Sequence, residues 1–148
     1  MELQNALETA AVVLIELEIN DSARGLLSDN FYWPATEKAD YRRMKDMPTA
    51  ALTMTAKIGT PSDGGDRVIA TLLNSGENPA ITVKLPLEEV STGERVLPVY
   101  CRDNYMSLLP NETKTVSIAY PIRGSSGAVK IALRGWNIST GSVAVTHD

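Results

Sequence analysis

Short segments of alternating apolar and polar residues fill the chain from Thr49 onward, and this pattern constrains the fold most. Within residues 52–58 and 81–87 an apolar residue recurs at every second position, the period of a strand with one buried face. Clusters such as Asn74-Ser75-Gly76 separate the segments with turn chemistry. The pattern predicts an all-β fold, most simply an immunoglobulin-like antiparallel β-sandwich, with a β-barrel as the alternative. The predicted strands are residues 52–58, 68–73, 81–87, 96–101, 104–110, 113–119, 129–136 and 142–145.

The first third of the chain has a different pattern. Apolar and acidic residues alternate through residues 15–19, and residues 26–33 have the composition of a returning strand. Between them, residues 21–25 supply a turn that ends in Gly25, a residue that tolerates a positive φ. We therefore predict a β-hairpin.

A linker follows the hairpin. Pro34 ends the second strand, and residues 36–47 predict a short helix with Thr36 as its N-cap, early acids and late bases, ended by Pro48. The chain is accordingly divided into a hairpin (1–33), a linker with a short helix (34–48) and a sandwich domain (49–148).

Composition and charge argue against several classes of protein. The chain of 148 residues has one cysteine, Cys101, and one histidine, His147, so it has no internal disulfide and no His-rich metal cage is expected. A net charge of −4 argues against binding to nucleic acid. No apolar run approaches the roughly 20 residues that cross a bilayer, and no membrane partner is expected. No glycine-rich nucleotide motif occurs, so no cofactor is predicted.

Candidate catalytic and metal-binding carboxylates do not form a convincing set. Glu88 and Glu89 are neighbours and would extend to opposite faces of a strand, whereas Glu16 and Glu18 alternate with apolar residues as solvated positions do. The loop at residues 63–66 (DGGD) offers oxygen ligands for Ca²⁺, but it lacks the spacing of a calcium loop and is better explained as a turn. We predict no catalytic residue and no metal ligand.

Aromatic residues are few, and they could form a platform for a sugar ring. The candidates are Trp33 and its neighbours in residues 31–33, together with Trp136, although burial against neighbouring strands is the simpler explanation and the one that the pattern favours. Cys101 lies between Tyr100 and Arg102 with no base partner in the pattern, so we expect a half-buried, unreactive thiol.

Three segments resemble a known family. Residues 28–33 (SDNFYW) resemble the S-x-N-F-Y-W strand near the end of large family-two glycoside hydrolases, and an acidic-Tyr linker and a Met-Pro step follow in both. Residues 101–116 (CRDNYMSLLPNETKTV) are similar to that family's S-D-N-Y-F-S-L-L-P-G-E-S-K-T-V signature. Residues 135–137 (GWN) are similar to the end of its last strand. The combination resembles the C-terminal immunoglobulin-like domains of exo-β-glucosaminidase, β-mannosidase and endo-β-mannosidase relatives.

The departures from the family pattern are small. They are Cys101-Arg102 in place of serine, Met106 in place of an aromatic residue and Asn111 in place of glycine. Asn tolerates a positive φ almost as well as Gly, so we expect the turn at Asn111 to be kept.

The resemblance implies a non-catalytic accessory domain. In that family a retaining (β/α)₈ barrel performs the chemistry, and a barrel of about 250 residues cannot fit in this chain. The hairpin would then end a preceding sandwich, the partners would be preceding domains of the same polypeptide, and the location would be periplasmic or secreted. Contacts to those domains or to a β-linked oligosaccharide would involve Trp33, Tyr105, Met106 or Trp136.

Two other functions fit an immunoglobulin-like fold. A carbohydrate-binding module would need at least two exposed aromatic rings, and a cell-surface interaction module would share the architecture alone. If the hairpin has lost its parent sheet, its apolar face formed by Ile15, Leu17 and Ile19 is expected to seek a partner, either on the same domain or in a second copy of the chain.

Overall fold

A computed structural model describes residues 3–23, 25–62, 65–121 and 128–146. The chain divides into two compact units, Met1–Met47 and Pro48–Asp148. Asp63 and Gly64, half of the loop considered for Ca²⁺, and His147 lie outside the described residues. Among the residues described, no helix has both the length and the apolar character needed to span a bilayer.

The N-terminal unit contains the predicted hairpin. Helix α1 (Leu3–Thr9) precedes strands β1 (Ile15–Asp21) and β2 (Gly25–Tyr32), which pair antiparallel from Ile15 opposite Tyr32 to Asp21 opposite Gly25. Gly25 has φ +76°, and the Asp21 carboxylate accepts the Ala23 N–H at 2.8 Å in the turn. The prediction of a hairpin closed by Gly25 is confirmed.

Two short helices in this unit differ from the sequence-based expectation. Helix α1 was not predicted, since its seven residues give too few turns for a periodic signal. The helix after the hairpin is a 3₁₀-helix (Lys38–Asp46), and the prediction of Thr36 as its N-cap was wrong. Glu37 occupies that position and its N–H donates to the Asp40 carboxylate at 3.0 Å, whereas the Thr36 hydroxyl donates to the Leu7 carbonyl at 3.1 Å.

The second unit is a two-layer β-sandwich. Its strands are β3 (Leu52–Ser62), β4 (Gly65–Asn74), β5 (Ala80–Val83), β6 (Leu87–Glu89), β7 (Tyr100–Cys101), β8 (Met106–Leu108), β9 (Thr113–Pro121), β10 (Val129–Leu133) and β11 (Gly141–Ala144). The first sheet has the order β3-β4-β9-β7, and the second combines β11-β10-β6 with the pair β5-β8. An antiparallel bridge between Lys84 and Arg134 joins the end of β5 to the end of β10, so β5 and β6 both lie along β10, one after the other. The all-β, immunoglobulin-like prediction is confirmed.

The core lies between the two sheets and follows the predicted alternation. Val83, Leu85 and Leu87 are buried in one cluster with residues of the first sheet such as Val68, Leu72 and Val116. Ile81 is buried outside that cluster, and the pairing register shifts between Ala80 and Val83. Because side chains alternate along a strand, the residues between the four buried positions lie on the outer face of the second sheet. Thr82 and Lys84, which are half-buried, are therefore candidates for that face, and the buried Glu88 follows Leu87 on the same side.

One predicted strand is divided. Residues 96–101 were expected to form a continuous strand, but Val96 donates its N–H to the Leu87 carbonyl of the second sheet at 2.9 Å. Tyr100 and Cys101 pair instead with β9 of the first sheet. The segment changes sheets between these points, at Leu97-Pro98, and Pro98 has no N–H for a ladder.

Candidate functional site

A pair of cations lies on the outer face of the second sheet. The Lys84 N–H donates to the Arg134 carbonyl at 2.8 Å and the Arg134 N–H donates to the Lys84 carbonyl at 3.2 Å, so the residues are direct cross-strand partners. Side chains of such partners share one face of the sheet. Like charges directly opposite each other destabilise a sheet, so this pair needs compensation.

Glu88 provides part of that compensation. Its carboxylate lies 3.1 Å from the Arg134 guanidinium and 3.7 Å from the Lys130 ammonium, and its side chain is almost fully buried. Glu88 lies opposite Lys130 in the β6–β10 ladder. A buried carboxylate with two cationic neighbours holds Arg134 in position. Glu89 instead accepts a hydrogen bond from the Thr92 hydroxyl at 3.2 Å.

Tyr105 lies beside Lys84. The Lys84 ammonium is 5.7 Å from the centre of the Tyr105 ring, within the range of a cation–π contact. The ring remains exposed, with 62% of the residue accessible to solvent.

The backbone near this ring is strained. Tyr105 has φ +59° and Thr82 has φ +51°, and a positive φ is uncommon for any residue with a side chain, most of all a β-branched one such as threonine. Such conformations cost on the order of 1–3 kcal/mol each and concentrate at functional sites.

Trp136 is presented by the GWN segment. Its backbone N–H donates to the Ile81 carbonyl at 3.0 Å, while 59% of the residue is exposed. Gly135 lies so close to β5 that a Cβ there would be 3.2 Å from the Ile81 carbonyl oxygen. Asn137 is buried: its side-chain oxygen accepts the Ile81 N–H at 3.0 Å, and its amide donates to the carbonyls of Pro48 at 3.0 Å and Pro79 at 2.8 Å. Asn137 and Gly135 thus fix the backbone that carries the exposed indole.

These side chains line two adjoining clefts. The first, of about 350 Å³, lies between Tyr105 and Trp136. The second, of about 400 Å³, extends from the same Lys84, Tyr105 and Arg134 toward Glu88 and Asn104. The other residues lining the first cleft are Thr82, Gly135 and Thr140. Two aromatic rings with ammonium, guanidinium and hydroxyl donors make a surface suited to binding.

The four residues predicted as contacts occupy different places. Tyr105 and Trp136 line the same cleft. Met106 is only 9% exposed and packs in the core of the sandwich, at the start of β8 opposite Val83, whereas Tyr105 precedes the strand. Trp33 belongs to the N-terminal unit, where its carbonyl accepts the Tyr41 hydroxyl at 2.8 Å.

Sequence reasoning missed Lys84, Arg134, Thr82 and the role of Glu88. The alternation of residues 81–87 did indicate that Thr82 and Lys84 face outward. The partnership with Arg134 depends on the register of distant strands, for which the sequence pattern carries no signal.

The remaining motif residues are structural. Asn111 has φ +64°, as expected for a residue in place of glycine at this turn. Glu112 accepts the Leu109 N–H at 2.6 Å, and the buried Asn74 amide donates to the carbonyls of Asn78, Leu108 and Leu109. These bonds close the turn between β8 and β9.

Cys101 is a free, half-buried thiol. Burial raises the pKa of the Cys101 thiol above its ordinary value of 9.0, so the nucleophilic thiolate is scarce at neutral pH. The expectation of a half-buried thiol is confirmed.

Comparisons with known proteins agree with this architecture. An exo-β-D-glucosaminidase Ig-fold domain family matches residues 30–138. The chain is 35% identical to an exo-β-D-glucosaminidase of Amycolatopsis orientalis over 121 residues, which are 78% of this chain and 11% of that protein. It is 29% identical to the Streptomyces avermitilis exo-β-D-glucosaminidase, over 88% of this chain and 17% of that protein.

Further similarity extends to a plant enzyme and to solved structures. A mannosylglycoprotein endo-β-mannosidase of Lilium longiflorum is 28% identical over 84% of this chain and 13% of its own length. The crystal structure of A. orientalis exo-chitosanase CsxA superposes with a TM-score of 0.77 at 26% identity, over 91% of this chain and 18% of that one. The chain therefore spans less than a fifth of these relatives. The family match extends from before β3 to beyond β10 and includes residues of all three sequence motifs. The chain therefore belongs to the exo-β-D-glucosaminidase Ig-fold domain family.

Proposed function

We propose that this chain is a non-catalytic accessory region at the C-terminal end of a multidomain retaining glycoside hydrolase. The parent enzyme would cleave β-mannosides, β-glucosaminides or related β-glycosides in a (β/α)₈ barrel elsewhere in the polypeptide. The observation that carries this proposal is the small share of the relatives that the chain spans, between 11% and 18%.

The use of polar groups inside the sandwich supports this role. A retaining glycosidase needs two carboxyl groups about 5 Å apart, one of them free to protonate the leaving oxygen. Among the residues that the structure describes, the carboxylate that the sandwich buries is Glu88, and it is held between two cations. The buried amide of Asn74 closes a turn by donating to the Asn78 carbonyl, and that of Asn137 donates to the Pro79 carbonyl of a distant segment. These polar side chains serve the fold.

The accessory region would act by packing against its neighbours and stabilising them. The hairpin unit supports this idea, because Leu17 and Ile19 are more than half exposed on a two-stranded sheet. An isolated hairpin is marginally stable, and an exposed apolar face usually belongs to an interface. We propose that the hairpin completes a preceding sandwich of the parent enzyme.

Two assays test the proposal. The 148-residue chain is expected to release no nitrophenol from aryl β-mannosides, β-glucosaminides and β-galactosides, whereas the full-length parent hydrolyses at least one of them. In the parent, Asn137→Ala is expected to lower the temperature of thermal inactivation while leaving kcat/KM at low temperature unchanged. Turnover by the isolated chain would refute the non-catalytic role, and an unchanged inactivation temperature would refute the stabilising one.

A further inference from the structure

We propose that the cleft between Tyr105 and Trp136 binds a neutral saccharide and discriminates against a protonated amino sugar. The proposal concerns the sandwich itself and does not depend on its accessory role in a larger enzyme.

The cleft has the size and the aromatic side chains to hold a pyranose. Its volume of about 350 Å³ lies within the range of small-molecule sites. Tyr105 and Trp136 are both mostly exposed, and their flat, rigid rings can pack against the C–H face of a sugar at little entropic cost. The adjoining cleft of about 400 Å³ shares Lys84, Tyr105 and Arg134, so a second sugar unit could follow the first.

The polar groups of the cleft are mainly donors. The ammonium of Lys84, the guanidinium of Arg134 and the hydroxyl of Thr140 line it, and no acidic residue does so among the described residues. Sugar hydroxyls and N-acetyl carbonyls offer acceptor oxygens to such donors.

The charge of the cleft selects against amines. Glu88 compensates Arg134, and the Tyr105 ring only partly offsets Lys84, so the first cleft keeps an excess of positive charge. A protonated amine about 5 Å from the Lys84 ammonium would lose roughly fourfold in affinity even at the dielectric constant of water. Although the relatives are named exo-β-D-glucosaminidases, this cleft is better suited to a sugar without a free amine.

The stability cost of the arrangement supports a binding role. Two cations are direct cross-strand partners, and two residues with side chains, Thr82 and Tyr105, have a positive φ beside them. Each feature is unfavourable for folding and places a group in the cleft. Fold stability alone does not account for their occurrence together.

A matched pair of ligands tests the proposal. The 148-residue chain is titrated calorimetrically with hexa-N-acetylchitohexaose and with its deacetylated form, in mildly acidic buffer where the free amines are protonated. The two differ in the charge of the amine and in the acetyl carbonyl, and the Lys84→Glu variant below separates the effect of charge from that of the lost acceptor. We expect heat of binding with the acetylated hexamer and at least fourfold weaker binding of the charged one, by the estimate above.

Variants locate the site. Trp136→Ala and Tyr105→Asn, the latter compatible with a positive φ, are expected to weaken binding of the acetylated hexamer roughly two- to tenfold each. Lys84→Glu is expected to reverse the preference in favour of the charged hexamer. Tyr100→Ala is the control, since Tyr100 is 70% exposed and lines neither cleft. Circular dichroism confirms that each variant is folded.

The outcomes are decisive in both directions. Loss of affinity in the two aromatic variants, with binding retained in Tyr100→Ala, supports the site. The proposal is overturned if neither hexamer binds, if both bind equally, or if the aromatic variants bind as tightly as the natural chain. None of these results depends on whether the parent enzyme hydrolyses a glycoside.

Discussion

The side chain of Asn137 is expected to contribute more to the stability of the sandwich than any exposed residue around it. It is 7% exposed and makes three hydrogen bonds. Its side-chain oxygen accepts the Ile81 N–H at 3.0 Å, and its amide donates to the carbonyls of Pro48 at 3.0 Å and Pro79 at 2.8 Å. These bonds tie the segment that follows β10 to the start of β5 and to Pro48, the first residue of the unit. Asn137→Ala removes all three together.

The expected cost is about 3–5 kcal/mol. A net hydrogen bond contributes about 1 kcal/mol, and a buried group left without a partner costs about 1–3 kcal/mol more. Ile81 is buried, so its N–H would be left without an acceptor and without access to water. The carbonyls of Pro48 and Pro79 lie nearer the surface and can accept hydrogen bonds from water instead. For a unit of about 100 residues, this corresponds to a fall in Tm of roughly 12–30 °C.

Thermal and urea unfolding of the 148-residue chain, followed by circular dichroism, measure this loss. Ser139→Ala, an exposed position two residues away, is the control and should change Tm little. Asn137→Asp keeps the acceptor but sets a carboxylate against two carbonyl oxygens, so its stability should rise as pH falls and the carboxyl is protonated. A cost below about 1 kcal/mol for Asn137→Ala would refute the view that these bonds hold the segment.

Three other outcomes follow from the described residues. Asn111→Ala should destabilise the unit by about 1–2 kcal/mol because φ is +64° there, whereas Asn111→Gly should be nearly neutral; equal effects in urea unfolding would contradict this. Cys101 should react with iodoacetamide more slowly than free cysteine at pH 8, because burial raises its pKa. Alkylation of the folded chain as fast as that of free cysteine would contradict the assignment of Cys101 as a buried thiol. Because its pKa is raised on folding, the contribution of the neutral thiol to the free energy of unfolding is complete below pH 9.0 and should be lost as pH rises above that value. If the hairpin pairs with a second copy, Ile19→Lys should convert dimer to monomer in light scattering, and an unchanged mass would exclude that interface.

Much of the sandwich was predictable because its strands keep one buried face. Alternation through residues 81–87 assigned four buried positions correctly, and the resemblance to a family with glycine at the position of Asn111 predicted that the turn there is kept, which φ +64° agrees with. Local chemistry is enough for such features, since period and turn preference depend on neighbours in sequence.

Features that depend on tertiary context were missed. The segment at residues 96–101 appeared to be one strand because its apolar residues serve two different sheets in turn. Met106 was predicted as a surface contact because the motif that includes it also includes Tyr105, but β8 begins at Met106 and its pairing with Val83 turns that side chain into the core. The candidate site also depends on tertiary structure. Tyr105 and Trp136 lie in separate loops, and only the pairing of β5 with β8 and β10 brings these loops together.

The pairing of Lys84 with Arg134 connects stability with binding. A sheet that needed only to be stable could place any uncharged residue at either position and avoid the repulsion. The chain instead uses a buried carboxylate, Glu88, to hold one cation and leaves the other against an exposed ring. Outside the cleft, the buried side chains of Asn74 and Asn137 are hydrogen-bonded to backbone groups. The fold therefore satisfies its buried polar groups at positions that take no part in the proposed binding. The local excess of positive charge is therefore best understood as a property that the cleft requires.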